Sequence, residues 1–381
     1  MNKSTSILML VSLALWSITA CGPTVKKSDV VVDFADLVFD SYQAAHQDAI
    51  ELNTALKTFT ENPDETSFEA AKNAWKAARE SYGVTETFRF QDGPIDLIEG
   101  ESGPEARLNA WPLDEGYVDY VEGAPLSGIV NDTTMVLNKN NLIEANEREG
   151  EENVSIGYHA IEFLLWGQDL SNPMQKEAGN RPYTDFVDGG TAANQARRRS
   201  YLNICADLLI EDLQILLDQW EAKGPYRQEF LALDPDLALG KILTGMATLA
   251  KAELAGERMF VAYDNQDQED EHSCFSDNTH RDTRLNLLGI KHAFFVDGPE
   301  KTSIHKLIQS EDPSLAKDMS TAFSSAEEAV DATAIPFDFA ITDADERKKI
   351  LIAVNKLRAL GDKLVEAGNA LGVNVGTELP E

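Results

Sequence analysis

The stretch 31-VVDFADLVFDSYQAAHQDAIELNTALKTF-59 decides the fold. Its apolar residues Phe34, Leu37, Val38, Tyr42, Ala45, Ala49, Leu52, Leu56 and Phe59 recur three and four apart, which lines one face of an α-helix and fits no strand of period two. Asn62-Pro63 ends the pattern, because a proline disfavours helical geometry in the residue before it. Asp64 to Tyr82 repeats it with Phe68, Ala71, Trp75, Ala78 and Tyr82, and Asp64-x-x-Ser67 with its early acids suits a helix start.

Helical spacing returns at about 156–165, 192–220, 237–263, 283–294, 314–334 and 343–368. The region between the second and third helices is rich in loops, marked by Gly93-Pro94, Gly103-Pro104, Trp111-Pro112 and Ala124-Pro125. Few segments alternate with period two, so no sheet is expected. The simplest architecture is all-α, two helical-bundle domains packed side by side, the first over 28–230 and the second over 231–381. Gly224-Pro225 and the neighbourhood of Asp234-Pro235 mark the join. Both halves open with long helices and then carry a polar loop, which hints at duplication, although no clean repeat is present.

The first residues speak to location. Lys3 gives a positive start, Ile7–Ile18 is apolar apart from two serines, and Ile18-Thr19-Ala20 precedes Cys21. That is the layout of a secretory signal rather than of a membrane span. It resembles a bacterial lipobox, so 1–20 is expected to be a lipoprotein signal peptide, Cys21 the lipidated residue and 21–27 a tether. Gly22, with no aspartate after the cysteine, points to the outer membrane of a cell envelope, periplasmic or surface-facing. Removing 1–20 takes away one base and no acid, so the formal charge of −32 becomes about −33. Such an excess of acid argues against nucleic acid, which rewards lysine and arginine, and against docking on anionic lipid. Without Cys21 only Cys205 and Cys274 remain, too few for a disulfide framework and in no C-x-x-C arrangement; their pairing stays open.

The sharpest local feature is Gly157-Tyr158-His159-Ala160-Ile161-Glu162 followed by Leu165-Trp166-Gly167. Residues three apart on a helix share a face, so the His159 imidazole and the Glu162 carboxylate can converge on one cation in an apolar setting that leaves a lone charge costly. Spacing alone leaves a second reading open, a buried His–Glu hydrogen bond that fixes packing. A polar run from Asp267 to His280 adds Asp270, Glu271, His272 and Asp277, a mixture of oxygen and imidazole ligands that suits iron, manganese or zinc. The bland alternative is a solvated loop. Glu257-Arg258 reads as an internal ion pair, and Arg197-Arg198-Arg199 as a solvated helix start.

The run from Gly157 to Glu162 resembles the G-x-H-x-x-E signature of imelysin-like proteins. Thr85-Glu86-Thr87-Phe88-Arg89-Phe90, Asn109-Ala110-Trp111-Pro112-Leu113-Asp114, Arg181-Pro182-Tyr183-Thr184-Asp185-Phe186, Gly256-Glu257-Arg258-Met259 and Glu269 to Thr279 resemble the iron-regulated branch of that family. The resemblance implies a two-domain helical fold with a site between the bundles, built on His159 and Glu162, with Glu86 and His272 as further metal ligands. It implies a divalent or ferric ion, iron before zinc, a role in iron acquisition or homeostasis, and a partner protein in iron uptake. Peptidase activity is the alternative, with Glu162 as the catalytic residue, yet H-E-x-x-H and G-x-S-x-G are both absent. A third reading is a cleft that receives a peptide, glycan or haem.

Overall fold

The computed structural model describes residues 25–298 and 300–379, so the expected signal 1–20, Cys21 and the start of the tether lie outside the described residues. The longer helices are α1 (Lys27–Glu61), α2 (Glu65–Gly83), α3 (Gly157–Trp166), α4 (Gln195–Trp220), α5 (Pro235–Thr248), α6 (Thr279–Phe295), α7 (Pro313–Asp331) and α8 (Glu346–Ala370). The α-helical class holds. Strand is confined, among the described residues, to a two-residue hairpin pairing Leu97–Ile98 with Glu101–Ser102 and an isolated bridge at Val121 and Ala124.

The period read from the sequence is the period of burial. In α1, Phe34, Val38, Tyr42, Ala45, Ala49, Leu52, Leu56 and Phe59 are all buried. The expected helix start is a capping box: Asp64 Oδ1 accepts from Ser67 N at 2.8 Å, and Asp64 N donates back to Ser67 Oγ at 3.3 Å. Helix α1 packs on α2 and α4, while α8 packs on α5, α7 and the chain after α5. The halves also meet directly, through α1 on α5 and α6 on α2. The buried apolar residues form one cluster from Val30 to Val373.

Three sequence expectations are corrected here. The helix expected at 237–263 is α-helical only to Thr248 and then continues as a wide π-type segment, Leu249–Val261, before a last α turn at Ala262–Asn265. Backbone bonds from i to i+5 stack residues five apart, and Arg258 Nε accordingly donates to Glu253 Oε1 at 3.0 Å. Neighbours in sequence do not face each other on a helix, so the expected Glu257–Arg258 pair is not formed. Nor is Arg198 solvated: it is fully buried, with Nε and Nη2 donating to Asp119 at 2.6 and 2.9 Å. Arg181 reaches the same carboxylate at 2.7 Å. The segment before α4 folds back over its first turn, which turns a nominal surface position into a core one.

Cys205 and Cys274 are both buried and unpaired. Two short helices, Pro225–Ala232 and Ile304–Glu311, carry too few turns to stand out from the sequence periodicity.

Candidate metal centre

Helix α3 begins at Gly157, whose φ is +92° and where a Cβ would meet the Leu108 carbonyl oxygen at 2.8 Å. A side chain there would be strained and would clash with backbone, which accounts for the glycine. Every residue of α3 from Gly157 to Trp166 is buried, as expected of a helix apolar all round. His159 and Glu162 are therefore carried through the interior rather than along a surface.

The two side chains lie on one face and bond each other, His159 Nδ1 to Glu162 Oε2 at 2.9 Å. The other carboxylate oxygen, Oε1, accepts from Ser276 N at 3.0 Å and Ser276 Oγ at 2.6 Å. Both Glu162 oxygens are thus engaged. With Nδ1 tied to a carboxylate, His159 is left with Nε2, which is buried and has no hydrogen-bond partner. The ring sits between Trp111, at 4.9 Å between centroids, and His272, at 4.7 Å and nearly edge-on.

His272 repeats the arrangement. Its Nδ1 meets Asp282 Oδ2 at 2.9 Å, and its Nε2 stands 3.4 Å from the Asn109 amide nitrogen. Asp282 is in turn gripped by Arg79 Nη2 at 3.0 Å and Ser273 Oγ at 2.5 Å. Arg79 also donates to Asn109 Oδ1, and Asn109 donates to Glu86 Oε1 at 3.3 Å. Glu86 Oε2 accepts from Arg258 at 2.6 Å and is 3.4 Å from Arg89. A carboxylate that holds a histidine's Nδ1 proton fixes the tautomer and presents Nε2 as the free donor atom.

Burial sets the charges. It pushes the His159 imidazole well below its ordinary value, and the nearby His272 and Arg79 push the same way. His272 is lowered to about 4, by burial first and then by Arg258. Glu162 is raised to about 8 by burial, which the Ser276 hydroxyl only partly offsets. For Asp282 and Glu86 burial would raise the carboxyl, but the cations win: Arg79 and His272 hold Asp282 far below the carboxylate range, and Arg258 and Arg89 bring Glu86 to about 2. Both imidazoles are accordingly neutral, the form that binds metal.

The imelysin family profile matches residues 38–364. The chain belongs to the imelysin family. It is 25% identical over 363 residues to iron-regulated protein A of Synechococcus elongatus, covering 91% of this chain and 87% of that relative. A crystal structure described as an iron-regulated protein A precursor from Parabacteroides distasonis superposes with a TM-score of 0.70 at 18% identity, covering 92% of this chain and 97% of that one. At that identity the likeness speaks for the imelysin fold alone.

Of the residues singled out from the sequence, the imelysin fold brings His159, Glu162 and His272 together. Glu86 joins at one remove, through Asn109, and is occupied by two arginines. Asp270 lies with His272, Trp111 and Asn109 on a cleft of about 440 Å³, whose wall also carries Glu105, Glu147, Glu151, Glu253 and Glu257 against Arg89 and Arg258. Glu271 and Asp277 do not join this group; they face Asp338 and Asp169 instead. Arg79 and Asp282 were not marked by any motif, and Asn109 and Ser276 stood in blocks of family resemblance without an assigned role. Arg79 and Asp282 left one sign: each falls on the apolar face of its helix, four residues after Trp75 and three before Leu285.

Proposed function

We propose that this imelysin-family chain binds a metal ion, iron in the first instance, through Nε2 of His159 and, once the Asn109 amide that donates to it is displaced, Nε2 of His272, and serves extracytoplasmic iron acquisition or homeostasis. One observation carries the reading: His159 Nε2 is a buried nitrogen with no partner, on a ring whose other nitrogen is held by a carboxylate. Leaving a buried polar atom unpaired costs about 1–3 kcal/mol, so a fold that builds such an atom into its core points to a ligand for it. Imidazole donors suit iron, zinc and copper alike. Iron is favoured because the relative from Synechococcus elongatus is named an iron-regulated protein.

In this reading Glu162 and Asp282 orient the two imidazoles rather than bind the ion, since their oxygens are already engaged. Glu86 anchors Arg258. Further ligands would come from the cleft, where Asp270 and Glu257 stand with His272 and where six acids face two arginines, a field that concentrates cations. A peptidase reading asks for a carboxylate free to act as base, and Glu162 has no oxygen to spare. No described helix is long and apolar enough to cross a membrane, and the lipobox at Cys21 supports attachment to the envelope by lipid. A partner protein in iron uptake would receive the ion from this anchored chain.

The test is elemental analysis and titration of the mature chain after chelation, with ferrous, ferric and zinc ions. One ion bound per chain is expected, with loss of binding in both His159→Ala and His272→Ala. Unchanged stoichiometry in the two variants would end the proposal.

A further inference from the structure

A second group of acids lies behind the loop that carries His272. We propose that Asp169, Asp277 and Asp338, with Glu271 beside them, form a separate cation site that takes a hard divalent ion of the calcium type. One carboxylate oxygen from each aspartate lies within 4.8 Å of the other two. Calcium is bound by oxygens at about 2.3–2.6 Å, so oxygens on opposite sides of one ion stand about that far apart. The three come from distant parts of the chain: the loop after α3, the loop before α6, and the short helix Phe337–Thr342.

Acids gathered on a surface would mean little. Here Asp169, Glu271 and Asp338 are 3%, 1% and 1% exposed, and only Asp277 is half-buried. Neither oxygen of Glu271 has a hydrogen-bond partner, and neither does Asp338 Oδ2. Thr279 stands near Glu271 but outside hydrogen-bonding geometry. What the protein supplies is one backbone donor to each of two acids: Ser171 N to Asp169 Oδ1 at 2.9 Å, and Phe339 N to Asp338 Oδ1 at 2.6 Å. The bases that act on the group are the exposed Lys76 and Lys176, and Lys176 Nζ sits 3.6 Å from the Phe339 ring centroid.

Buried acids this close must share protons or a cation. Burial, and then the neighbouring acids, raise Asp277 to about 7, and push Glu271 well above the carboxylate range. An all-oxygen donor set excludes preference for the borderline metals that imidazole attracts, so this ion and that of the histidines differ in kind. The two sites are nonetheless joined through the chain. Asp277 follows Ser276, which holds Glu162, and Glu271 precedes His272. An ion at the aspartates would pin both ends of the segment that supports the histidine pair.

The experiment is thermal unfolding and calorimetric titration of the chelator-stripped mature chain with calcium chloride, beside Asp338→Asn, Asp169→Asn and His159→Ala. One calcium per chain and a saturable rise in Tm of about 2–4 °C at about a hundred times Kd are expected for the natural chain. His159→Ala should keep both signals, and the two Asn variants, which preserve side-chain size, should lose them. Absence of a saturable signal in the natural chain overturns the proposal, and stability that falls as pH rises from about 4 to about 7 would then identify shared protons. A signal that survives both Asn variants also overturns it, assigning calcium to scattered surface acids. If the Asn variants do not fold, calcium stoichiometry in the natural chain and in His159→Ala decides: one ion in both upholds the site, and none refutes it.

Discussion

Replacing Glu162 by Gln tests the orienting role most directly, because it changes a proton rather than a shape. Above about pH 8, where Glu162 is ionised, its carboxylate accepts from His159 Nδ1 at 2.9 Å and leaves Nε2 bare, so the comparison is made at pH 9. Glutamine keeps an oxygen for Ser276, whose N and Oγ lie 3.0 and 2.6 Å away, and so turns its amide NH2 toward the histidine. Nδ1 must then accept, and the ring proton moves to Nε2, the atom assigned to the metal. Loss of a carboxylate behind a metal-binding histidine weakens affinity about 10–100-fold. That corresponds to about 1.4–2.7 kcal/mol. Calorimetric titration with ferrous and zinc ions, on chelator-stripped protein whose far-UV dichroism matches the natural chain, reads the change. An affinity within twofold of the natural one, measured while His159→Ala abolishes binding, would refute the tautomer argument and leave Glu162 a packing residue.

Two further outcomes are expected. Metal affinity should rise with pH: Glu162 is held protonated up to about 8, and binding at Nε2 needs an ionised carboxylate that accepts from His159 Nδ1–H, so the Glu162 proton must leave on binding. Kd measured between pH 6 and 9 should fall about tenfold per unit up to pH 8 and then level, and a flat profile would contradict the assignment. Asp119→Asn should destabilise the fold by about 3–5 kcal/mol, because it leaves the buried Arg181 and Arg198 guanidiniums without their shared carboxylate. A urea midpoint shift that, multiplied by an unchanged slope, amounts to less than about 1 kcal/mol would show that other acceptors suffice.

Periodicity made most of the helices legible. The apolar positions of α1 and α2 name their buried faces, and Asp64-x-x-Ser67 marks a cap that is formed. The change from α to π-type winding after Thr248 has no such signal, since it depends on how Leu249–Val261 beds against α8 and α6. For the same reason the acidic partners of Arg258 are not the acid beside it in sequence but Glu253, five residues back, and Glu86, 172 residues away. His159 and Glu162 were legible because one helical turn separates them. Asp282, Arg79, Asn109 and Ser276 are single polar residues on separate elements, and only the folded chain makes a network of them. The polar run 267–280 offers candidate ligands beside a solvated-loop reading, and the structure splits it, with His272 and Asp270 on the cleft and Glu271 and Asp277 facing Asp169 and Asp338 instead.

The unbroken apolar cluster from Val30 to Val373 has a bearing on how cargo would come and go. Proteins that swallow a ligand by rocking two lobes need a seam along which the lobes part without exposing oily surface. Here α1 lies on α5 and α6 lies on α2, so swinging the halves apart would wet side chains from both. Traffic would instead pass through the standing mouth of the cleft, past Trp111, with small side-chain displacements rather than a clamshell stroke. An ion held as proposed would then come and go without any remodelling of the frame.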